Sequence, residues 1–81
     1  MKKYYVQFEV LQSSGKVQSL CNAITFNNTS AADTVLINGM PLKPLQSISI
    51  EGNEGEIDTT DYNVVLGTDA NTFYVITKYY K

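Results

Sequence analysis

The 81-residue chain has no His, no Arg and no Trp, and only one Cys, Cys21. Without imidazole, the chain by itself forms no Ser-His-Asp or Cys-His pair and offers no His ligand to a metal. A lone cysteine builds neither an internal disulfide framework nor a zinc site, so Cys21 reads as a small buried hydrophobe and the chain does not read as a disulfide-stapled secreted scaffold. Two Pro and five Gly leave room for strands and turns but not for low-complexity or linker composition. No apolar run approaches the length of a membrane span. The opening Met-Lys-Lys-Tyr-Tyr-Val-Gln-Phe-Glu-Val is basic like a signal peptide, but Gln7 and Glu9 interrupt the apolar stretch, so it reads as a strand.

Net charge is −2, without the basic stripe that nucleic-acid binding requires. The charge is uneven: residues 1–50 carry four Lys against two acids, and residues 51–81 two Lys against six acids. Lys residues do not interleave with the six Tyr and three Phe, so these rings are read as core and interface packing and not as stacking platforms for bases.

What is present is period two. Tyr4, Val6, Phe8 and Val10 alternate with Tyr5, Gln7, Glu9 and Leu11; one face is wholly apolar and the other mixed, the pattern of a half-buried strand. Ser13–Lys16 reads as a turn leading into a second strand, Val17–Phe26, and the pair as an antiparallel hairpin. Leu20, Ile24 and Phe26 share one face of that second strand. Asn27–Asp33 is a polar loop, and Thr34–Ile37 a short β-branched strand. Asn38-Gly39 accepts positive φ, and Pro41 and Pro44 confine Met40–Leu45 to a connection or an edge. Gln46–Glu51, Tyr62–Leu66 and Thr72–Tyr80 read as further strands, with turns at Gly52–Gly55 and Gly67–Asn71. No window has helical spacing with caps. The expectation is one all-β domain, residues 1–81: a small antiparallel β-sandwich or jelly-roll-like barrel of six to seven short strands.

Two features point to a partner. A chain this short buries about 60–65% of its unfolded surface, and its core supplies roughly 3–5 kcal/mol. The last strand is apolar on both faces, with Phe73, Val75 and Tyr79 on one side and Tyr74, Ile76 and Tyr80 on the other. The second set fits an interface, where Tyr supplies area plus a hydroxyl, or equally a tail that flanks the core. Likewise Met40, Pro41, Leu42, Pro44 and Leu45 form a stiff extended segment that either inserts into a neighbour or caps the sandwich's open end.

Other candidate chemistry is weaker. Five acids (Glu51, Glu54, Glu56, Asp58, Asp61) fall within eleven residues. They suit a hard cation or, more simply, a solvated turn, and they lack the spacing of a helix–loop–helix calcium site. Asp58-Thr59-Thr60 lacks the Gly of the aspartic-protease motif. Nothing near Cys21 in sequence lowers its pKa. Asn27 and Asn28 head two overlapping glycosylation acceptors in what reads as a polar loop. No catalytic, cofactor-binding or metal residue is assigned.

The run Asn27-Asn28-Thr29-Ser30 through Thr34-Val35-Leu36-Ile37-Asn38-Gly39-Met40-Pro41-Leu42, continued by Gln46–Thr60, resembles small virion proteins of tailed bacteriophages, crAss-like and other gut phages foremost. The likeness covers about residues 27–79. In that pattern a Gly often follows the second Pro, where this chain has Leu45. The resemblance implies a structural protein that decorates or cements a capsid, or joins a head or tail ring, with no enzyme activity and no cofactor. It implies virion proteins as partners (a major capsid protein, or ring and portal proteins) and the virion, assembled in the bacterial cytoplasm, as location. A homo-oligomer is expected, a trimer at a capsid threefold being one arrangement, with neither nucleic acid nor membrane as partner. The alternative is a small soluble phage-encoded module that binds or inhibits a host protein.

Overall fold

The computed structural model describes residues 3–68 and 72–80. Eight strands follow one another: β1 Tyr4–Leu11, β2 Gly15–Gln18, β3 Ala23–Asn28, β4 Val35–Ile37, β5 Met40–Leu42, β6 Ser47–Glu51, β7 Asp61–Val65 and β8 Phe73–Tyr80. They form two antiparallel four-stranded sheets, ordered β1-β8-β3-β6 and β2-β7-β4-β5. Chain-consecutive strands (β1 and β2, β3 and β4, β5 and β6, β7 and β8) therefore occupy matching places in opposite sheets. This is the strand order of an eight-stranded jelly roll. The expected all-β sandwich is the fold observed, with one more strand than the upper expected number.

The core lies where the two inner faces meet. The first sheet contributes Ile24, Phe26, Phe73 and Val75, and the second Val35, Ile37, Leu42, Tyr62 and Val64, all buried. Phe26 is its centre: its ring meets Tyr62 edge to face at 5.1 Å across the sheets and stacks with Phe73 at 6.0 Å within its own sheet.

Two local expectations give way to tertiary pairing. The first is the hairpin. β1 pairs along its whole length with β8, and β2 pairs with β7, so the short turn between β1 and β2 is a corner between sheets. A turn of that length suits a hairpin or a corner equally, and the apolar β8 supplies the better neighbour for β1. The second is the strand Val17–Phe26, which breaks after Gln18 and resumes at Ala23 in the other sheet. Leu20 takes φ 40° at the crossing, and instead of sharing the buried face of Ile24 and Phe26 it is 57% exposed.

Buried polar side chains hold that crossing. Ser19 Oγ lies 2.6 Å from the Asp58 carbonyl oxygen and 2.8 Å from that of Thr60. Asn22 Nδ2 donates to the carbonyls of Asn53 and Glu56. The next corner, after β3, is held in the same way. Asn28 is fully buried; its Nδ2 sits within 3.2 Å of the carbonyls of Asp33, Leu42 and Lys43, and its Oδ1 accepts from the Ser30 amide. Of the two acceptor amides, that of Asn28 is thus inside the folded domain, whereas Asn27 is half-buried on the outer face of its sheet.

Asn38-Gly39 closes the β4–β5 hairpin with φ of 50° and 83°, the two positive values of a type I′ turn. Pro41 sits in the middle of β5, which is an edge strand, as its missing N–H requires. Of the expected Gly67–Asn71 turn, residues 69–71 lie outside the described residues.

Leu42 and Leu45 separate the two roles within one short segment. Leu42 is 6% exposed in the core, whereas Leu45 is 71% exposed at φ 63°, where a branched side chain is strained by about 1–2 kcal/mol. Leu42→Ala is expected to cost about 2–5 kcal/mol in urea unfolding. Leu45→Gly is expected to leave stability unchanged or slightly higher, because relief of strain offsets the added chain entropy of about 0.5–1 kcal/mol.

Candidate protein–protein interface

The register of β1 against β8 decides what the outer face of the first sheet carries. Tyr4 lies opposite Tyr80, Val6 opposite Lys78, Phe8 opposite Ile76 and Val10 opposite Tyr74. The alternating residues Tyr5, Gln7, Glu9 and Leu11 lie opposite Tyr79, Thr77, Val75 and Phe73, the inner set of β8. The wholly apolar face of β1 therefore points away from the core, contrary to the half-buried expectation. Phe8 is 75% exposed and Tyr4 59% exposed. The cause lies across the sandwich. β2, the strand facing β1, has only four residues and leaves much of the inner side of β1 wet, so Gln7 and Glu9 are tolerated there.

Tyr74, Ile76 and Tyr80 thus sit on the outer face, half-buried by the β1 side chains beside them. Lys78, in their midst, places its Nζ 4.8 Å from the Tyr4 ring centre and 5.1 Å from that of Tyr80, a cation–π contact on both sides. The other half of the same face is polar. Thr25 and Ser49 share a hydrogen bond of 2.9 Å across β3 and β6, with Asn27 and Ser47 paired beside them. The apolar area is therefore a bounded stripe along β1 and β8 with a polar flank, the pattern of an interaction surface.

The second group of expected interface residues is dispersed. Leu42 belongs to the core and is not available to a neighbour. Met40 and Pro41 line a small apolar cleft of about 130 Å³ with Ile37, Ile48 and Ile50, where the two sheets part between β5 and β6. Pro44 is half-buried, and Leu45 projects from the turn after β5. The segment borders that cleft and does not join the β1–β8 stripe.

The acidic stretch borders a polar cleft of about 500 Å³ lined by Glu51, Glu56, Asp58, Thr60, Tyr62 and Asn22 among others. Among the described residues no three His, Cys, Asp or Glu side chains gather as a cation site. Asp58 serves the fold. Its carboxylate accepts from the Tyr62 hydroxyl at 2.6 Å and from the Thr60 amide at 2.8 Å, and its own amide donates to the Cys21 carbonyl. Burial pushes the Asp58 carboxyl up, but these hydrogen bonds outweigh it and hold the group below the usual carboxylate range. Tyr62 is pushed up to about 12, first by burial and then by the bond to Asp58. Both groups move away from neutrality, opposite to what acid–base work at pH 7 requires. The buried Cys21 thiol is likewise raised, by burial and then by the Asp58 charge, which suppresses the thiolate.

The sequence contained the signal for the stripe, since Tyr4, Val6, Phe8 and Val10 stand out by alternation. Periodicity does not say which way a face points, and only the pairing with β8 resolves it. Tyr62 keeps its proton above the ordinary tyrosine value of about 10, so the folded state binds more protons than the unfolded state between about pH 10 and 12. Stability is therefore expected to fall as pH rises through that window, and Tyr62→Phe to remove that part of the slope. Ultraviolet titration should show a tyrosine step near pH 12 that Tyr62→Phe removes. Asp58 has the opposite sign: its contribution is present above the unfolded carboxyl value and is lost as pH falls through its lowered folded value.

No protein-family model, no curated protein and no solved structure matches this chain.

Proposed function

We propose that this chain is a structural virion protein of a tailed bacteriophage. It decorates or cements a capsid, or joins a head or tail ring, by docking the outer stripe of β1 and β8 on another virion protein. The observation that carries the reading is that stripe: Phe8 and Tyr4, with Tyr74, Ile76 and Tyr80 beside them, form an apolar strip on the solvent side of a sheet whose remaining width is polar. A chain of this size has little core to spare, and covering the strip adds burial that the domain alone lacks. The phage likeness of residues 27–79 agrees with this. So does the jelly-roll order, an architecture that viral capsid domains use, although fold alone is an analogy and not a function. The reading assigns no reaction, no cofactor, and no nucleic-acid or membrane partner. Because the docked form exists only on the assembled particle, binding stabilises the shell by linkage.

Quantitative mass spectrometry of purified particles is expected to find the chain in a fixed, symmetric copy number. Phe8→Asp should leave the unfolding midpoint nearly unchanged, since Phe8 is 75% exposed. The same substitution should weaken co-sedimentation with shells by tenfold or more, on the order of 1.4 kcal/mol. Absence from particles, together with one stoichiometric host protein in pull-downs, would replace this reading with that of a host-binding module.

A further inference from the structure

The four sheet edges are not alike. β5 has three residues with Pro41 at its centre, β2 has four and begins at Gly15, and β6 has five with Ser47, Ser49 and Glu51 on its outer side. Each carries features that discourage edge-to-edge pairing: short length, Pro or charge. β1 carries none of the first two. It runs eight residues without Pro or Gly, its inner and outer faces are both largely exposed, and among the described residues its only ladder partner is β8. A long, regular strand at the edge of its sheet, with a ladder partner on one side, is a template for another strand.

The charges at the two ends of β1 select the occupant. We infer that β1 pairs antiparallel with β1 of a second copy of this chain, about a twofold axis perpendicular to the sheet at Val6. Opposite residues must then share a face, so positions summing to an even number pair, and a sum of twelve is the register that brings opposite charges together. Lys3 of each copy faces Glu9 of the other, Tyr4 faces Phe8, Tyr5 faces Gln7, and Val6 meets itself on the axis. Every contact occurs twice, as a self-complementary twofold interface requires. Moving the axis to Tyr5 or Gln7 sets Glu9 against nothing of opposite charge, and moving it to Glu9 sets the two carboxylates face to face.

In the selected register the opposite charges and the aromatic pair are both of the favourable cross-strand type. The two four-stranded sheets become one of eight, and the two apolar stripes merge across the axis into one platform. This names the first partner of the surface proposed above and rests on that reading only in taking the β1 side as an interaction surface.

The test is sedimentation equilibrium of the full-length chain at low salt. A dimer is expected whose dissociation constant rises by about tenfold or more in Lys3→Glu and again in Glu9→Lys, and returns towards the starting value when the two substitutions are combined. Both side chains are exposed, so the fold should survive, and circular dichroism checks this. Independently, Val6→Cys should oxidise to a covalent dimer, because the two copies meet at that residue. Val10→Cys should not, its two copies lying roughly 27 Å apart along the strands. A chain monomeric at high micromolar concentration overturns the pairing, whatever the particle assay shows. A dimer indifferent to the charge substitutions, or cross-linking through Val10 and not Val6, overturns the register. A charge-swap dimer supports the pairing even where no particle binding is found.

Discussion

β8 is apolar on both faces, and the molecule is arranged around removing water from each. Its inner residues, Phe73 and Val75, are covered by the second sheet and locked against Phe26. Its outer residues have no second layer. They are sheltered only sideways, by Tyr4, Val6, Phe8 and Val10 of the neighbouring strand. That neighbour must turn its own apolar face outward to do this, and so the shelter itself becomes the exposed surface. Part of the apolar surface that an 81-residue domain cannot bury is in this way collected along one stripe, while Leu20, Met40, Leu45, Ile57 and Val65 are exposed elsewhere.

The polar residues act where strands change sheets. A jelly roll changes sheets at nearly every connection, and each change removes backbone groups from ladder pairing and brings them towards the core. Ser19, Asn22 and Asn28 meet those groups with short side chains that donate to carbonyls of distant loops. Asp58 closes the corner of Ser19 and Asn22 by accepting from the Tyr62 hydroxyl. The residues with the most suggestive chemistry in the chain are thus committed to the corners. Their protonation, with Asp58 held charged and Tyr62 held neutral, stabilises the corner and does not suit proton transfer at neutral pH.

Much of the fold was legible because strand alternation is a local property. The all-β class, the Asn38-Gly39 turn, the edge position forced by Pro41, and the two-faced character of β8 all follow from neighbouring residues. The misreadings were of another sort. Leu20 fits the alternation of Ile24 and Phe26, yet the chain crosses between sheets at that point and leaves it in water. Leu42 looks as available as Met40, yet it points into the core. No local signal separates these cases, because burial depends on which strand lies opposite.

The amino-acid sequence by itself determined that this chain makes antiparallel strands, where most of them turn, and that it has more apolar surface than a lone small domain buries. Only the tertiary structure decided that β1 joins β8 instead of β2, and hence that Tyr4, Val6, Phe8 and Val10 face outward. The physical reason is that a strand has two equivalent faces until its neighbours are chosen, and shifting its pairing by one residue exchanges them. That choice is made by contacts between the two ends of the chain, which no local pattern encodes.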